Sequence, residues 1–443
     1  MSGQTLLLKE QKQAIGLLSV GTFLEYFDLM LYVHMSVLLN DLFFLKTDSF
    51  SESLLNAFSF CVTFIFRPIG AILLGAIGDK WGRKSTVILT TIAMAAACIT
   101  IANLPTYEQI GISASIALTI CRIVQAMSST TEKIAAEIYL TETVKSSFLY
   151  SAVAFIVLSS SIGASFSLLI ANLAMSKILD WRAAFWIGAL IAVIGSIARN
   201  ALKETTDFTD AKKLLKKISN NLEIDKNMLE QSKIYTEKVN IKTAIAYFLV
   251  QLGTPVYFYF SYIYCAGILK DSFGYTAGEV ISHNLILSIA ELAMLALITY
   301  LVSFIHPIKI FKTRFWITIP FLLICPYLLN HVTSSFQLML IQLFIVIFAP
   351  TEFACTPIFY KSFPIFKRFT AACFIHTLSR ACMHVVSAFG IIYLIKYFGN
   401  LGLLFLFIPI NIGLIFGIRY FERLEKRNTA HYKKSSYSGS GNN

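Results

Sequence analysis

Charge is what this sequence has least of. Asp, Glu, Lys and Arg make up 14% of its 443 residues, while 56% are hydrophobic; a soluble chain carries about a quarter charged residues. That scarcity excludes an ordinary water-soluble domain. Long polar stretches are few as well, and the blocks Val87–Leu104 and Leu401–Ile418 hold no charge at all. Each is long enough to cross about 30 Å of hydrocarbon. The short alternating segments that build a membrane β-barrel are missing. So is a cleavable signal peptide, since Met1–Gln13 is polar and the first apolar block is too long and contains acids. All eight cysteines fall in apolar blocks and none forms a CxxC pair. They read as small packing residues, with no disulfide framework and no zinc site. HExxH, GxSxG and phosphate-loop motifs are absent too, so nothing points to an enzyme, a metal or an organic cofactor.

What is there is a series of about twelve apolar blocks, near 14–44, 54–78, 85–104, 110–131, 147–174, 183–199, 242–268, 279–304, 313–331, 335–359, 368–394 and 401–421. They predict an all-α polytopic membrane protein. The 37 Lys and Arg are unevenly placed. With the amino terminus set inside, Lys46, Lys177, Arg182, Lys270 and Lys396 occupy outer loops, a few lie within helices, and the rest crowd the inner segments. By the positive-inside rule both termini face the cytoplasm. The net charge of +12 is then a topology signal, and nucleic acid is not a needed partner.

The longest inner connection contains DAKKLLKKISNNLEIDKNMLEQ, charges mixed with apolar residues at helical spacing. It predicts amphipathic helix on the cytoplasmic face or at the lipid interface. The expected organisation is a six-helix bundle over 1–199, a cytoplasmic linker over 200–241, a second bundle over 242–427 and a disordered polar tail over 428–443. Two sixes joined by a long basic inner loop is how a duplicated transporter is built.

The stretch GAIGDKWGRK, from Gly75 to Lys84, matches G-x-x-x-D-x-x-G-R-K in every fixed position and lies in the second inner segment. It resembles the loop signature of the major facilitator superfamily. Glu25-Tyr-Phe-Asp28 resembles the E-W-F-D of that superfamily's metabolite:proton symporters, and Phe66-Arg67-Pro68-Ile-Gly70 resembles their F-R-P-x-G. Cys121-Arg122-Ile-Val-Gln125, followed by Glu132, resembles their C-R-x-x-Q and later glutamate. Asp180-Trp-Arg182 and Leu202-Lys-Glu204-Thr205 resemble the ends of their sixth helix. Together these cover most of residues 20–208 and look like the bacterial proline/betaine transporter branch.

The second half matches less well. FIHPIKIFK, from Phe304 to Lys312, lacks a second copy of the signature, although Phe363-Pro364 with Arg368 and Ala371 resembles the family's entry to helix 11. Ala126, Thr130 and Thr131 stand where family members place glycine. The resemblance implies the major facilitator fold, twelve transmembrane helices in two six-helix bundles, in a bacterial inner membrane. It also implies a monomer that works with a small-molecule substrate, a proton as coupling ion and the lipid bilayer, without a cofactor.

Charges in hydrocarbon are costly, so their depth and company are informative. Glu25 and Asp28 share one face of the first helix near mid-depth, and Arg67 and Arg122 lie at the same level in the second and fourth. Arg122, Gln125, Ser129, Glu132 and Lys133 fall within an arc of about 100°, a polar stripe that reaches the inner mouth at Glu132. One reading makes Glu25 or Asp28 the proton site, with Arg67, Arg122 and Gln125 holding substrate or acting as counter-ions. The other makes the four charges permanent pairs that fix helix packing.

In the second half Glu291 and Arg380 lie near mid-depth, Glu352 lies deeper, and His376, Arg380 and His384 share a face. The histidines either tune affinity with pH or hydrogen-bond between helices. Tyr257 and Tyr262, in the aromatic run of helix 7, either enclose a quaternary ammonium group or belong to an outer interfacial belt. From the resemblance come the gating roles of Gly75, Asp79, Gly82, Arg83 and Lys84, with Asp79 at the start of helix 11 and Arg83 opposite Glu204. Three functions stay open: a proton-coupled symporter for a small zwitterion or carboxylate, an organic-acid carrier, and a transporter-fold sensor without turnover.

Overall fold

The computed structural model describes residues 9–44, 64–144, 148–175, 178–199 and 237–439. The described residues form helices and no strand. The first half comprises α1 (Lys9–Phe43), α2 (Arg67–Trp81), α3 (Arg83–Asn103), α4 (Ile112–Thr143), α5 (Leu149–Met175) and α6 (Trp181–Arg199). The second comprises α7 (Ile241–Phe273), α8 (Ala277–Leu301), α9 (Pro307–Asn330), α10 (Ser335–Lys361), α11 (Arg368–Phe398) and α12 (Gly402–Gly439). Eight described segments are long and apolar enough to cross a membrane.

Local chemistry sets many of the boundaries. Pro68 sits in the first turn of α2, where its missing N–H costs nothing. The helix stops at Gly82, whose φ of 112° is a conformation that side chains resist. Thr276 and Glu279 form a reciprocal capping box at the start of α8, and Ser334 caps α10 by accepting from the Gln337 N–H. Two rods are composite. α7 breaks at Gln251–Leu252 and contains a π-helical turn at Tyr259–Tyr264, while α10 is interrupted before the 3-10 turn Phe353–Cys355.

Several helices outrun their apolar blocks at the end that carries the basic loops, here called the inner end. α4 continues to Thr143 although its block stops near 131, because Glu137 and Glu142 are buried against the other half. α9 begins at Pro307 rather than near 313. The tail expected to be disordered from Asn428 is instead helical as far as Gly439. No Gly or Pro interrupts Ile418–Ser438, so nothing in the sequence stops the helix sooner. Most of the predicted amphipathic linker, residues 200–236, lies outside the described residues.

Apolar and polar side chains are distributed inside-out relative to a soluble protein. Ile72, Leu73, Ile116, Leu190, Leu323 and Phe405 are exposed on the periphery, while Glu25, Asp28, Arg67, Arg122 and Gln125 are buried. Within the first half α1 packs on α5 and α6, and α3 on α4 and α6; in the second, α7 packs on α12. The halves meet along α2 against α11 and α5 against α8. Glycine makes the first of these contacts possible. A Cβ at Gly75 would lie 2.9 Å from the Thr370 Cα, and one at Gly78 would collide with the Phe369 ring.

Candidate functional site

The four mid-depth charges of the first half divide into two groups. Arg122 is enclosed within that half: its guanidinium lies 3.4 Å from the centre of the Tyr32 ring, and Nη1 donates to Gln125 Oε1 at 2.9 Å. Gln125 Nε2 donates to Cys98 Sγ at 3.2 Å, and Cys98 lies within electrostatic reach of Asp28. Asp28 faces α6 as well, where a Cβ at Gly188 would collide with its Oδ1. Asp28, Arg122, Gln125, Cys98 and Tyr32 are therefore one buried group among α1, α3, α4 and α6. Of the four charges expected at one level, Asp28 and Arg122 lie in this group, and Arg67 remains within electrostatic reach of Arg122 and Glu25.

Arg67 belongs to a second group, between the halves. Its guanidinium lies 4.4 Å from the centre of the Phe64 ring and within electrostatic reach of Glu25, Tyr26, Arg122 and Arg380. Arg380 Nη2 forms a 3.1 Å ion pair with Glu352 Oε1, and Thr254 Oγ1 donates to Glu352 Oε2 at 2.6 Å. Lys133 on α4 sits 5.2 Å from the centre of the Tyr26 ring, in the field of Glu137, Glu352 and Arg380. One turn further on, Glu137 Oε2 accepts from the Tyr360 hydroxyl at 2.5 Å, a bond from α4 to α10. His376 and His384 are buried on the α11 face that carries Arg380, and the His384 ring lies 3.7 Å from that of Phe64. Arg67 Nε, Arg380 Nε and His376 Nδ1 are buried with no hydrogen-bond partner among the described residues.

Below this group the inner ends are closed. Asp79 accepts from the N–H groups of Phe369 (3.3 Å) and Thr370 (2.9 Å) and from Thr370 Oγ1 (2.6 Å), which places its carboxylate at the amino terminus of α11. Arg368 Nη1 pairs with Glu142 Oε1 at 3.0 Å in a buried bridge from α11 to α4. Ser151 of α5 and Ser303, in the turn after α8, add a 2.8 Å bond. Lys84 follows Gly82 and is half-buried. The side chains of Arg83 and Glu132, and all of Glu204, lie outside the described residues.

In the second half Tyr257 OH donates to Asn411 Oδ1 at 2.8 Å, and Tyr262 OH donates to Glu291 Oε2 at 2.8 Å. Tyr257 is buried and Tyr262 half-buried, so neither is part of an exposed interfacial belt. Glu291 does not meet Arg380; it lies in the field of Arg314 on α9, whose Nη1 donates to Thr351 Oγ1 at 2.7 Å. A cavity of about 810 Å³ opens at the outer ends of α8 and α10, lined by Tyr275, His283, Ser335 and Phe336. Its one carboxylate, Glu279, is occupied by the Thr276 cap, so the chemistry lies with the buried charges rather than there.

The sequence that builds these contacts matches a known family over most of its length. The Major Facilitator Superfamily pattern covers residues 18–401. The chain belongs to that superfamily. Its fold resembles the proton:xylose symporter XylE, with a TM-score of 0.74 at 14% identity over 94% of this chain and 95% of that one. It also resembles the human organic anion transporter MFSD10, with a TM-score of 0.66 at 12% identity over 94% and 100%. Among curated proteins it is 30% identical over 207 residues to the proline/betaine transporter of Escherichia coli, 44% of this chain and 41% of that one. It is 31% identical over 205 residues to the glycine betaine/proline/ectoine/pipecolic acid transporter OusA of Dickeya dadantii, again 44% and 41%. The chain spans about two fifths of the length of the curated relatives it matches.

The relatives and solved structures named here are transporters. Sequence reading passed over four residues that the structure buries in these contacts: Glu137, Glu142, Arg314 and Tyr360. For the two acids a signal existed, since Glu132, Lys133, Glu137 and Glu142 are charges of one helix that begins in an apolar block.

Proposed function

We propose that this chain carries a small zwitterion or carboxylate, proline- or betaine-like, together with a proton, by alternating access. The observation that supports it is the charge group between the halves. Arg67, Lys133 and Arg380 are set against Glu25, Glu137 and Glu352. Three cations against three acids form a set of zero formal charge, and a guest that keeps it at zero is the cheapest to admit into low dielectric. A zwitterion does so, and so does a carboxylate that arrives with a proton. A dicarboxylate would need two protons. Arg67 and Arg380 also hold buried Nε groups toward which an anion can be drawn. The α1 candidates for the proton are Glu25, in the field of Arg67, and Asp28, beside Cys98. Arg122 and Gln125 then position Asp28 rather than touch substrate.

Uptake into proteoliposomes tests the proposal. Radiolabelled proline and glycine betaine are expected to accumulate several-fold more when the lumen is made alkaline. Accumulation of dicarboxylates alone would establish the organic-acid reading. Binding without uptake of any panel member would establish the sensor.

A further inference from the structure

We propose that Glu137 on α4 is a proton-coupling site, and that the substrate carboxylate competes with it for Lys133. The inference rests on the symport reading above and names a residue pair for it. Glu137 is buried among charged and titratable groups from four helices. Lys133 lies one turn before it on α4, Tyr360 and Glu352 face it from α10, Arg380 from α11 and Tyr247 from α7. Of the two cations, Arg380 is already bound to Glu352 at 3.1 Å. Lys133, one helical turn away on the same face, is therefore the cation left to balance Glu137, through the field between them rather than a direct ion pair. Lys133 is also the cation a guest meets: it stands one turn nearer mid-depth, against Tyr26 and in the field that also reaches His376.

The exchange balances in charge and in protons. A substrate carboxylate binds the Lys133 ammonium, which then no longer balances the charge of Glu137. A buried carboxylate left without its counter-ion takes up a proton, which comes from the outer solution with the substrate. Neutral Glu137 is then a weaker acceptor for the Tyr360 hydroxyl, because charge assistance is lost. The bond it loosens joins α4 to α10, one half to the other. Arrival of both solutes thus weakens the inner closure, and neither does so alone. Once the inner side opens, Glu137 gives its proton to the cytoplasm, recovers Lys133 and expels the carboxylate.

Proton uptake on binding is the test. Purified wild-type protein, weakly buffered near neutral pH, should take up about one proton per molecule of L-proline or glycine betaine bound. Glu137→Gln should abolish that uptake. Lys133→Met should weaken binding at least ~10-fold, since substrate loses its cation, and should abolish uptake because Glu137 is already neutral. An infrared difference spectrum of the wild type should show a protonated carboxyl band on adding substrate, which keeps the question open to measurement if a variant does not fold. Glu137→Gln that takes up as many protons as wild type would overturn the proposal. So would uptake lost in Glu25→Gln but kept in Glu137→Gln, or the absence of the infrared band. Failure of the wild type to bind either compound would instead remove the functional reading, and this proposal with it.

Discussion

Two polar groups in the first half look alike in sequence and differ in the company they keep. Arg122, Gln125, Cys98 and Asp28 are held by helices of one bundle. Glu137, Glu142 and Asp79 come from the same bundle but end on Tyr360, Arg368 and Thr370 of the other. When two halves rock as bodies, contacts inside one half persist and contacts between halves are made and broken. The first group can tune a site; the second can report which way the carrier faces. A charge's role follows from which body holds its partner.

Three substitutions bear on that difference. Glu142→Ala should act most strongly, because removing one partner of a buried pair leaves Arg368 uncompensated at a cost of about 3–5 kcal/mol. The closed inner state should lose that stability. A cysteine placed by Ser151→Cys, at the inner α5–α8 contact, should react with maleimide many times faster in the Glu142→Ala background; an unchanged rate would deny the bridge a role in closure. Gly188→Ala comes next. A methyl group there would strike Asp28 Oδ1, an overpacking worth about 1–3 kcal/mol. Transport should fall while labelling at position 151 stays at the wild-type rate. Accelerated labelling would show that the two groups are one. Asp79→Asn is the mildest, since an amide oxygen still accepts from an N–H of α11 and about 1 kcal/mol is lost. Uptake should drop a few-fold with the same amount of protein in the membrane.

Much of the fold was legible because hydrocarbon imposes long apolar blocks and charge bias orients them. The inner signature was legible too, for physical reasons now visible: Gly82 stands at φ 112°, and Asp79 meets the amino terminus of α11. Partners were not legible. Glu137 and Tyr360 are 223 positions apart, and no spacing in one sequence joins them. Hydropathy also hid the inner end of α4, whose last turns are polar since their partners lie across the interface. Asp28 was assigned to a buried face of its helix, but Cys98 beside it was not foreseen. For the tyrosines of α7 the sequence left an aromatic box and an interfacial belt open, and their partners Asn411 and Glu291 lie 154 and 29 positions away.

Arg67 and Asp79 are carried by one uninterrupted rod, α2. At 1.5 Å per residue their Cα atoms stand about 18 Å apart along its axis. Pivoting the rod by ~5° about one of them swings the other sideways by about 1.5 Å, on the same helix dimensions. That is enough to take a 2.9 Å hydrogen bond such as Thr370 N–H to Asp79 out of range. A guanidinium drawn slightly toward an anion at mid-depth therefore has, at the far end of a stiff arm, the throw needed to unseat a carboxylate. The reverse holds as well: a clasp that grips Asp79 sets the angle at which Arg67 is offered.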